Sequence, residues 1–146
     1  MAPIPVQETQ AMIAGMSPHL DPDAYVFCKV AEAASGARLH DRALATFNDA
    51  EDQTLILPLA VASEAGLATD LPMRRITLAV HSALDGVGLN AAVATALAEA
   101  GIPCNMVAAY HHDHAFVPAS QAEKALTLLQ SRARIAAAEM TKGTAP

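Results

Sequence analysis

Residues 74–129 read RRITLAVHSALDGVGLNAAVATALAEAGIPCNMVAAYHHDHAFVPASQAEKALTLL, and this stretch carries the clearest periodicity of the chain. Apolar residues alternate over 75–81, which predicts a strand with one buried face. Over 87–100 they recur at every fourth position, which predicts an amphipathic helix that ends at Gly101. A strand followed by a helix of this length is the first part of a β-α-β unit.

The remainder of this stretch completes a recognisable order of elements. Strands are predicted over 103–110 and 115–117, and residues 120–123 form a capping box that starts a long helix. The order is therefore β-α-β-β-α, and one more strand would complete a ferredoxin-like split β-α-β sheet. The crossover of the first unit is expected to be right-handed.

An internal repeat extends this interpretation to the first half. The segment FNDAEDQTLILP (47–58) resembles VAAYHHDHAFVP (107–118), 60 residues later, in the order strand, polar turn, strand, proline. Residues 31–42 are small and polar and predict a loop, with no room for the helix that the second half has at this point. We predict an α+β fold made of two related ferredoxin-like βαββα(β) halves packed together, of which the first is degenerate.

Ser17-Pro18 and Asp21-Pro22 are expected to break the chain before a strand at 25–30. The predicted segments are an N-terminal helix or extension over 1–20, a degenerate half over 21–72, a more complete half over 73–133, and a helix end with a frayed tail over 134–146.

Composition excludes several classes of function. The 146 residues carry a net charge of −6 and no basic patch, which argues against nucleic acid as a partner. No apolar run approaches the roughly 20 residues that span a bilayer. The start, MAPIPVQETQ, does not resemble a secretory signal. Cys28 and Cys104 are predicted to be free thiols, which is typical of a reducing compartment, so we expect a cytoplasmic protein. Only 16% of the residues are charged, which favours a homodimer that buries part of its surface.

The loop HSALDGVG (81–88) is predicted to lie at a sheet edge, just before a helix N-terminus. Its glycines, Gly86 and Gly88, would let a ligand approach the backbone, and the helix N-terminus would attract a carboxylate. Ser82 and Asp85 add side-chain oxygens, and Asp85 could accept a hydrogen bond from a ligand amine. Alternatively, Asp85 caps the helix and Gly86 only turns the chain.

The segment HHDH (111–114) is the other conspicuous feature. His112 and His114 are predicted to point to one side of the chain, and His81 could add a third nitrogen ligand for zinc. A solvated or hydrogen-bonded turn explains the same residues, so we predict no metal site and no cofactor. A pH-sensitive role is a further option, because histidine titrates near neutrality.

Catalytic motifs are not visible: the sequence contains no GxSxG, no P-loop and no dinucleotide-binding glycine pattern. We therefore predict that the chain is not an enzyme.

The order and spacing of these segments resemble the ACT domain, and more closely bacterial tandem ACT-like proteins of uncharacterised function. The resemblance covers about residues 20–130 and rests on a strand, a loop such as LDGVGL, a helix, AGI and a second strand. ACT domains are regulatory modules that bind amino acids or similar metabolites, usually between paired domains. The resemblance implies a ligand site that contains Ser82, Leu84, Asp85, Gly86, Val87, Gly88, Leu89 and Asn105.

These observations leave three hypotheses for function. The first is a non-catalytic regulatory sensor that binds a small molecule, expected to be an amino acid. The second is a structural or protein-interaction module without a ligand, and the third is a histidine-based metal-binding protein.

Overall fold

The computed structural model describes residues 9–31, 38–80 and 84–143. Contacts group these residues into two compact units. The terminal unit contains the residues up to Asp21 and those from Arg75 onward, and the inserted unit contains Pro22–Arg74. The predicted division into segments 1–20, 21–72, 73–133 and 134–146 stays a prediction.

In the terminal unit, the helices are α1 (Thr9–Ala14), α3 (Leu89–Glu99) and α4 (Ala122–Gly143). A 3-10 turn at Ala119–Gln121 precedes α4. The strands are the start of β1 (Pro18–Val30), β4 (Met73–Leu78), β5 (Asn105–Ala108) and β6 (Asp113–Pro118), in the sheet order β1-β4-β6-β5.

This strand order is that of a complete ferredoxin-like sheet. β4, β5 and β6 follow the predicted β-α-β-β order, and the fourth strand is the start of β1, which precedes them in the chain. The backbone N–H of Ala79 donates to the carbonyl oxygen of Met16 at 2.6 Å, and Arg75 pairs with Asp21 at 2.7 Å. Since one segment rises in number as the other falls, the two run antiparallel. The strand that the second half was missing is therefore supplied by residues near the N-terminus.

One face of this sheet carries the helices and the hydrophobic core. Ile76 and Leu78 of β4 point into it, in agreement with the alternation predicted over 75–81, and Ala115 and Val117 of β6 point into it as well. The fully buried members include Ile76, Leu78, Leu97 and Leu129.

The inserted unit contains the rest of β1, β2 (Ala45–Asn48), β3 (Gln53–Pro58) and α2 (Leu59–Glu64), with the strand order β2-β3-β1. Both strand pairs are antiparallel. Its core contains Val26, Leu55 and Leu57, and Leu39 packs against it. Residues 38–40 are helical, which corrects the prediction of a continuous loop over 31–42.

The predicted repeat is confirmed by the element bounds. β2 and β3 begin at residues 45 and 53, and β5 and β6 begin 60 residues later, at 105 and 113. Pro58 and Pro118 end the third strands of the two repeats with nearly identical backbone angles. The α+β, ferredoxin-like fold class is likewise confirmed.

Within the described residues, no helix combines the length and the apolar character needed to cross a membrane.

Candidate small-molecule site

The loop before α3 ends at a glycine whose backbone is left-handed. Gly88 is the N-cap of α3, with φ 104° and ψ −17°, and its carbonyl oxygen accepts the first helical hydrogen bond, from Ala92, at 2.9 Å. Among the residues that the structure describes, no side chain caps the helix. Because the first N–H groups of a helix have no partner inside it, this end of α3 presents hydrogen-bond donors and the positive end of the helix dipole.

Helix α1 fixes the position of this loop. The Thr9 hydroxyl donates to the carbonyl oxygen of Val87. A Cβ atom on Gly88 would lie 2.8 Å from the Thr9 Cγ2 methyl, which is too close for any side chain. The contact with Thr9 and the positive φ both require glycine at this position.

A small pocket lies between this loop, α1 and the start of β6. Its volume is about 90 Å³, roughly that of three water molecules. The lining residues are Met12, Leu84, Gly86, Gly88, Leu89, Asn90, Ala91, Ala108 and Asp113. The lining combines apolar side chains, loop backbone and two side chains that contain hydrogen-bond acceptors.

Those two polar side chains are Asn90 and Asp113. Asn90 Oδ1 is buried and has no hydrogen-bond partner within the described part of the chain. Asp113 is 7% exposed and is the only polar or charged residue in the buried class among the residues that the structure describes. A buried acceptor without a donor is unfavourable, and in native proteins such a group generally has a partner, which can be protein, an ordered water, an ion or a ligand.

Four of the residues predicted for the ligand site line this pocket, namely Leu84, Gly86, Gly88 and Leu89. Asp85 and Val87 belong to the same loop, but both are exposed and neither lines the pocket. Ser82 lies outside the described residues, as does His81.

Asn105 is placed away from the pocket. It is exposed and lies opposite Phe116 in the β5–β6 pair, whereas its neighbour Met106 packs against the helical core. Since successive strand residues point to opposite faces, Asn105 faces away from the helices.

Asn90 and Asp113 were not among the residues predicted for the ligand site. Asn90 directly follows the predicted GVGL loop, so its position was available from the sequence. Asp113 was considered only as part of a histidine-rich turn. In the structure, β6 begins at Asp113, and the side chain shares the inward face with Ala115 and Val117.

The histidines of the HHDH segment (111–114) do not line this pocket. His114 Nδ1 is 3.0 Å from Thr77 Oγ1. Burial lowers the pKa of His114, and the nearby charges of Arg75 and His112 lower it further, while Asp113 acts in the opposite direction. In the described ranges, no three histidine, cysteine or acidic side chains come close enough to hold a metal ion.

The two cysteines are free in the structure. Burial raises the pKa of both the Cys28 and the Cys104 thiols. A raised pKa reduces the thiolate fraction and therefore the reactivity of these side chains.

Sequence comparison matches both halves of the chain to one family. One ACT-domain model matches residues 71–131 and another matches residues 5–74. The chain belongs to the ACT-domain family. The resemblance noted from the sequence is thereby confirmed, and no curated protein sequence matches the chain.

Solved structures share this ACT-domain architecture. A protein of unknown function from Vibrio cholerae, described as a possible transport protein, is 44% identical with a TM-score of 0.72; the alignment covers 82% of this chain and 92% of that one. A protein from Agrobacterium tumefaciens is 17% identical with a TM-score of 0.62, and the alignment covers 80% of this chain and 87% of that one. The regulatory subunit of aspartate kinase from Thermus flavus is 12% identical, with a TM-score of 0.59 and coverages of 79% and 95%. The last two show similarity of fold alone.

Proposed function

We propose that this ACT-domain protein is a non-catalytic, cytoplasmic regulatory protein that binds a small α-amino acid in the pocket at the start of α3. The observation that carries the proposal is the buried Asn90 Oδ1, for which the described part of the chain supplies no donor; Asn90 lines the same small pocket as Asp113. Family membership supports the proposal, because ACT domains are regulatory modules that bind amino acids and similar metabolites.

The lining of the pocket offers partners for both charged groups of an amino acid. The uncapped N–H groups at the start of α3 are suited to a carboxylate, which the helix dipole also favours. Asp113 attracts an ammonium group, and Asn90 Oδ1 accepts a hydrogen bond from it. A zwitterion therefore satisfies donors and acceptors that a neutral ligand leaves unmatched.

The volume sets the size of the ligand. Pockets for drug-sized molecules typically enclose several hundred Å³, whereas this pocket encloses about 90 Å³. Apolar groups from Met12 and Leu89 line it and leave little room for a side chain on the ligand. Glycine, alanine and serine are therefore the first candidates.

Calorimetric titration tests the proposal with ligands that each lack one feature. We expect one of the small amino acids to bind, while acetate, which has no ammonium group, and ethylamine, which has no carboxylate, bind much more weakly. At 100 times its dissociation constant, the bound amino acid is expected to add about 2.7 kcal/mol to the free energy of unfolding.

A pair of variants locates the binding site. Asp113→Asn keeps the shape of the side chain and removes its charge, and we expect it to abolish binding. Asp85→Asn makes the same chemical change on an exposed residue of the neighbouring loop and should leave binding intact. Binding lost in Asp85→Asn and retained in Asp113→Asn would contradict the proposed site. No binding of any small amino acid would favour a protein-interaction module instead.

A further inference from the structure

Helix α1 forms one wall of a second, larger depression in the terminal unit. This groove lies between α1, α3 and α4 and has a volume of about 180 Å³, twice the 90 Å³ of the pocket at the start of α3. Gln10 Nε2 donates to the carbonyl oxygen of Ala136 at 3.3 Å, so α1 already covers part of α4. The space that remains admits a small molecule rather than another protein surface.

The floor of the groove is apolar and reaches the hydrophobic core. Met16, Val93 and Leu129 line it and are almost completely buried, whereas Ile135, which also lines it, is 51% exposed. An apolar cavity of about 150 Å³ is large enough to take up benzene, so the groove has room for roughly six carbon atoms. It therefore suits the apolar part of a small ligand.

Two side chains of opposite charge line the groove two turns apart on α4. Arg132 and Glu139 are separated by about 10 Å along the helix axis. Their contacts hold the two charges on different helices: Arg132 Nη2 donates to Glu99 Oε2 of α3 at 3.4 Å, and Glu139 Oε2 accepts from Gln10 Nε2 of α1 at 3.1 Å. The groove therefore has a cationic end, an apolar floor and an anionic end.

Both charged groups can bind a ligand in addition to these contacts. The Arg132 guanidinium has five N–H donors, and the side chain is 50% exposed. The Glu139 carboxylate has about four acceptor positions, of which Gln10 occupies one. A guanidinium group binds a carboxylate through two parallel hydrogen bonds, and a carboxylate accepts charge-assisted hydrogen bonds from an ammonium group.

We propose that this groove is a second ligand site, separate from the pocket at the start of α3, and that it binds a linear ω-amino acid. Such a molecule carries its ammonium and carboxylate groups at opposite ends of a methylene chain. The ligand carboxylate binds Arg132, the ammonium group binds Glu139, and the methylene chain lies on the apolar floor. An α-amino acid cannot bind in this way, because both of its charged groups are attached to one carbon atom.

The spacing of the two charges sets the length of the ligand. After a hydrogen bond of about 2.8 Å at each end, roughly 5 Å or slightly more of the axial separation remains. This is the length of a chain of about four to six carbon atoms, and the volume of the groove gives a similar size.

NMR titration of the isotope-labelled chain with ligands up to about 10 mM tests the proposal. We expect the affinity to rise from 4-aminobutyrate to 6-aminohexanoate by about fourfold for each methylene group buried, and not to rise further with 8-aminooctanoate. Hexanoate and hexylamine, which each lack one charge, should bind at least about fivefold more weakly than 6-aminohexanoate. Norleucine is the sharpest control, since it is an unbranched isomer of 6-aminohexanoate with the amine on the α carbon, and it should also bind at least about fivefold more weakly.

Two matched pairs of variants locate the site. Glu139→Gln should weaken the binding of 6-aminohexanoate by about fivefold or more. Glu99→Gln makes the same change outside the groove lining and should not weaken binding, because Glu99 competes with the ligand for Arg132. Ala92→Leu fills the groove and should abolish binding, whereas Ala98→Leu, on an exposed part of α3 that does not line the groove, should retain it.

Asp113→Asn separates this site from the pocket at the start of α3, because it should leave the affinity for 6-aminohexanoate unchanged. Three results would each overturn the proposal: no binding of any of the ω-amino acids, equal affinities for norleucine and 6-aminohexanoate, or full binding in Ala92→Leu.

Discussion

Replacing Asn90 by leucine separates ligand binding from stability more sharply than any other change in the pocket. The leucine side chain has nearly the shape of asparagine but has no hydrogen-bonding atom. In the free protein, Asn90 Oδ1 is buried and none of the residues that the structure describes donates to it, so its removal takes away an unfavourable group. With the proposed ligand, the same change removes an acceptor for the ammonium group.

The magnitude follows from the cost of leaving a buried polar atom unsatisfied, which is about 1–3 kcal/mol. A chain of this size gains about 2–4 °C in Tm for each kcal/mol. We therefore expect Asn90→Leu to raise the Tm of the free protein by a few degrees. Most substitutions of half-buried residues lower the Tm, so the direction of the change is diagnostic.

The ligand should stabilise the wild type and leave the Tm of Asn90→Leu almost unchanged. A small amino acid at 100 times its dissociation constant is expected to raise the wild-type Tm by about 5–11 °C. In Asn90→Leu this increase should fall to near zero, even though the variant is the more stable protein without ligand. Scanning fluorimetry measures all four Tm values, those of the wild type and of Asn90→Leu with and without ligand, in one experiment.

Asn105→Leu is the matched control, because it makes the same change on an exposed residue that faces away from the pocket. It should leave the ligand response unchanged. A Tm of free Asn90→Leu below that of the free wild type would refute the reasoning about the unsatisfied oxygen of Asn90. A full ligand response in the variant would refute the role of Asn90 in binding.

Three other predictions concern the fold around the site. Gly88→Ala should cost about 1–3 kcal/mol from the positive φ alone, and more from the clash with Thr9, measured as a lower urea midpoint at constant m-value. The pKa of His114 is lowered on folding, so its stabilising contribution is complete above about pH 6.5 and is lost as the pH falls through that value toward the folded-state pKa. The unfolding free energy of His114→Gln should therefore depend less on pH over that interval than the unfolding free energy of the wild type. Leu97→Ala, at a fully buried position of the core, should cost about 2–5 kcal/mol in the same denaturation assay.

The hairpin repeat was predictable because local chemistry determines it. Both halves contain the same local pattern, which is an alternating strand, a polar turn, a second strand and a proline at the start of a helix. This pattern predicts the same hairpin in each half. The third strand of each half is buried at three consecutive positions, 55–57 and 115–117. Such a continuous apolar run is visible in the sequence without knowledge of the rest of the fold.

The path of β1 could not be predicted in this way. The expected break at Ser17-Pro18 is confirmed, because β1 begins at Pro18, but the expected break at Asp21-Pro22 was wrong, because β1 continues through Pro22 to Val30. Proline lacks an N–H group, but its fixed φ is compatible with an extended strand. Pro18 is the first residue of β1, and the ladder with β3 begins only at Tyr25, so neither proline removes a donor from that ladder. Their tolerance therefore depends on which strand lies alongside, which is a property of the tertiary structure.

The pocket shows the same division between local and long-range information. The glycines of the loop at 84–88 are visible in the sequence because they precede a helix. The depth of Asp113 is not visible, since a shift of one residue in the β5–β6 register would turn its side chain to the other face of the sheet. Placing the carboxylate therefore required the strand pairing, not the motif.

The six-residue helix α1 contacts two separate depressions of the terminal unit. Thr9 donates to the loop beside the ligand pocket and Met12 lines that pocket, while Gln10 and Ile13 line the groove between α1, α3 and α4. Sequence comparison assigns this helix to the first ACT repeat, yet its contacts lie in the unit that contains the second. These four residues belong to one six-residue helix, so a ligand that shifts Thr9 and Met12 is expected to shift Gln10 and Ile13 with them.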